Sequence, residues 1–226
     1  MMKIKRETIY ANGINIPSII LIPSNSIGVA VITHGYGGCK EEQLGLAYRV
    51  AELGITTCVI DLRGHGENTN LFDGNILLDI EEVIKYWRNC GQKVVAIGHS
   101  LGGRLSLISN ADYAVGISPA LDRNFSEKTQ EILNNMRGYR VKESADENLF
   151  KVIEMIPILD NDNSKNKMII YGSRDVPEII NSSFNLKETG LLVKEVKNAL
   201  HNDIFTLEDT IQYLIGQFNI WFDINK

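Results

Sequence analysis

Short, almost wholly apolar runs alternate with amphipathic segments along most of the chain. The strand-like runs cover residues 14–22, 28–33, 56–61, 93–98, 113–117, 167–171 and 191–196. Apolar side chains recur at helical spacing in residues 41–53, 76–89, 101–110 and 203–222. Strands that are apolar on both faces are typical of a parallel sheet with helices on both sides. The pattern therefore predicts an α/β fold with a mostly parallel sheet, and ligands are expected at the carboxyl ends of its strands.

This alternation breaks between residues 119 and 160. The stretch is polar, contains helical segments at 125–136 and 145–156, and offers no strand candidate. We predict that it is a small helical lid inserted into one domain of 226 residues, above the strand ends and with few contacts to the sheet core. The alternative is that both segments are ordinary surface helices of that domain.

Composition and charge mainly argue against certain classes of protein, such as nucleic-acid-binding, membrane-spanning and disulfide-rich proteins. The formal net charge is −5, whereas nucleic acid usually selects a basic face. No run approaches the ~20 apolar residues of a membrane-spanning helix, and the N-terminus lacks the apolar core of a secretory signal. Three widely spaced cysteines without a CxxC pair favour reduced thiols over a disulfide framework or a zinc site. We expect a cytoplasmic protein without a nucleic-acid partner, and the oligomeric state stays open.

The strongest chemical signal is a G-x-S-x-G motif at residues 98–102, placed between an apolar strand and a helix. A serine on such a sharp turn projects its hydroxyl above the sheet in a strained backbone conformation. Gly98 and Gly102 leave out side chains that would collide with the turn. We predict that Ser100 is a catalytic nucleophile. The alternative is a tight turn whose serine only caps the helix.

A second glycine-rich loop, Thr-His-Gly-Tyr-Gly-Gly at residues 33–38, follows another apolar strand. Stabilising a tetrahedral oxyanion needs two fixed backbone N–H groups, one after the nucleophile and one from such a loop. We assign these donors to Leu101 and Tyr36, and the Tyr36 ring would form a wall of an acyl pocket. The loop is not a phosphate cradle, because the chain has no G-x-x-x-x-G-K-[ST] motif. A simple glycine turn is the alternative.

Four histidines compete for the role of general base. His201 is the candidate because it lies between the last strand and the last helix, in a loop that returns to the strand ends. His34 and His65 lie in glycine-rich loops and are expected to be structural. His99 is expected to lie beside the nucleophile rather than to face it.

The acid that orients the base is expected between the nucleophile and the histidine in the sequence. Asp175 fits, because it lies in the loop that follows the strand at 167–171. Its alternatives are pairing with Arg174 or capping the helix near Glu178. Asp122 is the rival acid, because a carboxylate after the preceding strand can reach the same histidine.

Taken in order, these motifs resemble the α/β-hydrolase superfamily, and most of all its small carboxylesterases and its lipase-like or serine-aminopeptidase-like members with a short lid. The resemblance spans most of the chain, including D-L-R-G-H-G at residues 61–66. It departs from the family pattern in the acid loop, where Val176 and Pro177 follow Asp175 directly instead of two residues later. The resemblance implies a lid between the sixth and seventh strands.

Together the residues predict acyl transfer to water, with a carboxylic ester of modest size as the substrate. Ser100 would attack the carbonyl, His201 would move the proton, and Asp175 would orient the imidazole. Thioesterase or lysophospholipase chemistry is the alternative within the same mechanism, and a ligand receptor on a hydrolase scaffold is the alternative from another class. We expect no metal and no cofactor, because the chain lacks H-E-x-x-H and any other recognisable ligand cluster.

Overall fold

Eight strands form one sheet within residues 2–136, 138–144, 148–160 and 164–224, which the computed structural model describes. The strands are β1 (Lys3–Ala11), β2 (Ile14–Ile22), β3 (Val29–Thr33), β4 (Thr56–Ile60), β5 (Val94–His99), β6 (Tyr113–Ile117), β7 (Lys167–Gly172) and β8 (Leu192–Val196). The helices are α1 (Leu44–Ala51), α2 (Ile76–Asn89), α3 (Leu101–Ile108), α4 (Glu127–Met136), α5 (Leu149–Met155), α6 (Pro177–Lys187) and α7 (Glu208–Trp221). Short 3-10 turns lie at Lys40–Gln43, Gly138–Arg140, Ser164–Asn166 and Ile204–Thr206.

The strand order is β1-β2-β4-β3-β5-β6-β7-β8, and the sheet is parallel from β4 to β8. The first two strands form a hairpin that pairs antiparallel with β4. Its turn, Asn12-Gly13, has positive φ at both residues, as a two-residue hairpin loop requires. The predicted α/β fold with a mostly parallel sheet is therefore confirmed.

Helices cover both faces of the sheet, and each face has its own apolar cluster. Apolar side chains of α1 and α7 pack on one face, and those of α2, α3 and α5 pack on the other. Helix α2 shows why the pattern predicted its bounds correctly. Ile76, Ile80, Val83 and Ile84 recur at helical spacing, and each is at most 1% exposed.

The two helices of the predicted lid differ in their packing. Helix α4 is a surface helix, with Ile132 exposed and Leu133 half-buried. Helix α5 instead contributes Leu149, Val152 and Ile153 to the apolar cluster of the sheet face that it shares with α2. These side chains form an i, i+3, i+4 stripe, so their burial makes α5 part of the core. The expectation of few core contacts is therefore wrong for the second half of residues 119–160.

The three thiols Cys39, Cys58 and Cys90 are free, and Cys58 is buried within β4. None of the helices in the described ranges is long and apolar enough to cross a membrane.

Candidate active site

Ser100 lies on the turn between β5 and α3, at φ 54° and ψ −115°. A non-glycine residue holds such a conformation only where the surrounding structure enforces it. A Cβ atom on Gly98 would lie 2.1 Å from the carbonyl oxygen of Gly102, so the turn closes only with glycine there. The side chain of Ser100 caps no N–H of α3, which argues against the capping alternative.

The Ser100 hydroxyl is the first group of a hydrogen-bonded chain. Its Oγ lies 3.0 Å from Nε2 of His201, and Nδ1 of His201 lies 2.8 Å from Oδ1 of Asp175. This geometry requires the tautomer in which Nδ1–H donates to the carboxylate, because Nε2 then accepts from the serine hydroxyl. The fold therefore joins three side chains from the ends of β5, β7 and β8.

Asp175 is buried and has further donors around its carboxylate. The Ser118 hydroxyl donates to Oδ2, and the backbone N–H of Val176 donates to Oδ1 over 2.7 Å. Burial by itself raises the pKa of Asp175, but the hydrogen bonds from His201, Ser118 and Val176 outweigh it. The pKa of Asp175 consequently lies below its ordinary value, and the group is a carboxylate at neutral pH.

The described residues form neither the contact between Asp122 and His201 nor the ion pair between Asp175 and Arg174 that were considered as alternatives. Asp122 uses its backbone carbonyl, which accepts from Arg104 over 3.3 Å, and no contact joins its carboxylate to His201 among the described residues. Arg174 forms no ion pair with Asp175 within the described ranges. The early Val176 of the acid loop supplies the N–H that holds Asp175.

His34 and His65 are fully buried and contact backbone groups rather than the serine. The His34 Nδ1–H donates to the carbonyl of Gly35, and Nε2 accepts from the N–H of Leu62, which ties this loop to residues 61–66. His65 approaches the carbonyl of Arg63 through Nδ1. Burial lowers the pKa of His34 to about 4 and that of His65 to about 3, so both rings are neutral at pH 7.

Two further residues support the site. We predicted only that His99 lies beside the nucleophile, and the sequence analysis did not identify Ser118. The Nε2–H of His99 donates to the backbone carbonyl of His201 over 2.7 Å, and the two rings lie 4.8 Å apart. Ser118 follows β6 directly, at φ 48°, and supports Asp175. The signal for Ser118 was its position, since a polar residue at the carboxyl end of a parallel strand faces the ligand edge of the sheet.

The backbone N–H groups of Tyr36 and Leu101 border the space above Ser100. Neither of them donates a hydrogen bond to another residue within the described ranges. A Cβ atom on Gly35 would lie 3.1 Å from Cβ of Ser100, so the glycine-rich loop touches the nucleophile turn. The Tyr36 ring packs against Phe72, and its hydroxyl donates to Glu143 over 2.5 Å, which fixes the loop.

Two cavities meet at Ser100. The first has a volume of about 520 Å³ and apolar walls from α4, α5 and α6, formed by Ile132, Leu133, Leu149, Ile153 and Ile179. The second, about 580 Å³, has a mixed lining that is more polar than that of the first and includes Glu42, Arg140, Asn202 and Thr206. The Arg140 guanidinium pairs with Glu42 at 3.0 Å across this second cavity. A bound molecule with an apolar arm and a more polar arm would place its centre at the Ser100 hydroxyl.

Comparisons with known proteins agree with this architecture. Residues 29–121 match a family model described as the alpha/beta hydrolase fold. No curated protein sequence matches the chain.

Solved structures with the same fold cover nearly the whole chain. A predicted CIB-like hydrolase from Thermoplasma acidophilum is 15% identical, with a TM-score of 0.67 over 97% of this chain and 100% of its own. Est1E from Butyrivibrio proteoclasticus, solved with ferulic acid, is 18% identical, with a TM-score of 0.68 over 93% and 98%. A soluble variant of monoglyceride lipase from Saccharomyces cerevisiae, in complex with a substrate analog, is 15% identical, with a TM-score of 0.69 over 97% and 95%.

Proposed function

We propose that this chain, which has the alpha/beta hydrolase fold, is a serine esterase that cleaves a carboxylic ester of modest size. The observation that carries the proposal is the hydrogen-bonded chain from the Ser100 hydroxyl through His201 to the buried carboxylate of Asp175. Nucleophile, base and orienting acid are the three groups that acyl transfer requires. The monoglyceride lipase among the similar structures supports an ester as the substrate.

The reaction follows from these positions. Ser100 Oγ bonds to the ester carbonyl carbon while Nε2 of His201 takes the hydroxyl proton, and the N–H groups of Tyr36 and Leu101 bind the resulting oxyanion. The carbonyl then re-forms, the C–O bond to the alcohol breaks, and His201 gives its proton to the departing oxygen. Water next attacks the acyl-enzyme, with His201 again as the base. The bond from the acyl carbon to Ser100 Oγ then breaks, His201 returns the proton to Oγ, and the carboxylic acid leaves. Asp175 holds the tautomer and stabilises the imidazolium in both halves.

The acyl group belongs in the apolar cavity, because burying hydrocarbon there removes it from water. A volume of about 520 Å³ lies in the range of small-molecule sites, which suits an acyl chain of modest length. The alcohol part then faces the second cavity, whose lining is the more polar of the two. Helix α4, whose residues Ile132 and Leu133 line the apolar cavity at the surface, acts as the lid in this proposal.

A ligand receptor with the same pocket is the alternative that experiment must separate from an enzyme. We expect a fluorophosphonate probe to label the wild-type protein on the peptide that contains Ser100. We also expect repeated turnover of p-nitrophenyl esters, with kcat/KM rising from acetate to octanoate as the apolar cavity fills. Release of one equivalent of p-nitrophenol followed by a stop, or labelling of a different serine, would contradict the proposal. A matched series of thioesters and lysophospholipids separates the neighbouring substrate classes.

Asp175 and Asp122 make a matched pair for the acid. We expect Asp175→Asn to lower kcat by at least ~10²-fold, because the amide cannot hold the Nδ1–H tautomer as a carboxylate does. Asp122→Asn should leave kcat within a few-fold, since Asp122 contributes only its backbone carbonyl. Steady-state kinetics on one ester, together with the urea unfolding midpoint, separates catalysis from stability. The reverse ranking of the two variants would transfer the role to Asp122.

A further inference from the structure

Arg104 lies one helical turn after Ser100 in α3, and it is the largest side chain among those that are almost fully buried, at 1% exposure. No carboxylate of the described residues lies within ion-pair distance of its guanidinium. Its hydrogen bonds go instead to five backbone carbonyl oxygens at 3.2–3.4 Å. Nη1 donates to Ala120 and Asp122, and Nη2 donates to Ile153, Ile156 and Pro157.

A buried charge is costly unless hydrogen bonds replace the lost water, and guanidinium offers five donors in a rigid fork. Burial lowers the pKa of Arg104 to about 10, which still leaves the group charged at neutral pH. The carbonyls of Ile153 and Ile156 lie at the end of α5, where they have no partner within the helix. Arg104 therefore gives the Ile153 carbonyl a donor that the helix does not supply, and it shares the Ile156 carbonyl with Arg123.

The five carbonyls come from two stretches that are far apart in the sequence. Residues 120–122 lie where the chain leaves β6, and residues 153–157 lie shortly before it returns to β7. Ala120 and Ile153 also line the apolar cavity. The N–H of Ala120 donates to the carbonyl of Ser100 over 3.1 Å. Arg104 thus fixes both ends of the cavity-forming segment to the helix that carries the nucleophile.

We propose that Arg104 is a positioning residue that sets the acyl-chain preference, by holding the two ends of the cavity wall in place against α3. This inference rests on the proposed esterase function. Arg104 touches none of the reacting atoms, so a short acyl group that does not fill the cavity depends little on it. A long acyl chain depends on the wall for the burial of each methylene group.

The test compares Arg104→Met and Arg104→Lys with the wild type on p-nitrophenyl acetate and octanoate, with enzyme concentrations set by fluorophosphonate titration. For Arg104→Met we expect the octanoate-to-acetate ratio of kcat/KM to fall about tenfold, mostly through KM, because each methylene that loses burial costs about fourfold. Acetate turnover should stay within threefold. Arg104→Lys keeps the charge but has three donors on one nitrogen, so about a threefold fall is expected. Arg123→Met is the control. It removes only one hydrogen bond, to the Ile156 carbonyl, and should leave the octanoate-to-acetate ratio unchanged.

Equal losses on both esters would show a purely structural role and overturn the inference, as would an unchanged ratio. If Arg104→Met does not fold, Arg104→Lys decides the matter by the same ratio. The wild-type protein distinguishes a failure of the proposed esterase function from a failure of the proposed role of Arg104. Failure to hydrolyse either ester would overturn the esterase function, whereas hydrolysis of both with an unmoved ratio in the variants would overturn only the role of Arg104.

Discussion

Replacement of Ser100 by alanine is expected to abolish ester turnover, with a loss in kcat of about 10⁶-fold, the size seen when a triad serine is removed from a serine protease. The residue supplies the oxygen that becomes acylated, and no other hydroxyl is hydrogen-bonded to His201 among the described residues. Labelling by a fluorophosphonate should disappear with turnover. Ser109→Ala, at the far end of the same helix, should keep both and serves as the control.

The strained turn adds a second readout at the same position. Glycine adopts positive φ without steric cost, whereas alanine at the same position still pays that steric cost because it has a Cβ atom. Ser100→Gly should therefore be about 1 kcal/mol more stable than Ser100→Ala, at the low end of the strain stored at such residues. Both variants should be inactive. Retained turnover in either variant would place the nucleophile elsewhere.

Replacement of His201 by alanine is expected to cost a similar factor, about 10⁶-fold in kcat, because nucleophile and base act as one unit. His99 provides the comparison, since its ring lies next to His201 and both are imidazoles at the same site. His99 acts through a hydrogen bond to the backbone carbonyl of His201, so His99→Ala only displaces the base. A displacement of that kind costs up to about 10²-fold.

Kinetics on one short ester, with the far-ultraviolet circular dichroism of each variant, would check the His201 prediction. A double variant lacking both histidines should be no slower than His201→Ala alone. If His99→Ala damages turnover more than His201→Ala does, the base has been misassigned.

Local physical chemistry made most of the fold predictable from the sequence. The bounds of β2, β6 and α2 came directly from apolar spacing, because burial on one or both faces leaves a period that is readable residue by residue. The turn at Ser100 was readable from its motif, but only Gly98 is required by an atom a few residues away, because a Cβ atom on Gly102 would meet Thr33 and His34 at the end of β3.

The sequence favoured Asp175 over Asp122 only by chain order and loop position, because both follow a strand end and a parallel sheet brings all such ends to one edge. The choice was made by contacts over long separations. Asp175 reaches Nδ1 of His201 and is held by Ser118, 57 residues away. Which carboxylate contacts the histidine at the carboxyl edge of the sheet depends on the conformations of the loops, and no local sequence pattern encodes these.

The same reason explains what became of residues 119–160. Their polar, mostly helical pattern predicted two helices but not the surface that each would meet. The tertiary structure buried α5 in the core and placed Ile132 and Leu133 of α4 in the lining of the apolar cavity. The sequence by itself thus determined the α/β architecture and the nucleophile turn, since these follow from periodicity and from local sterics. Only the tertiary structure decided which carboxylate faces His201 and which carbonyls receive Arg104, because those partners meet through packing between distant segments.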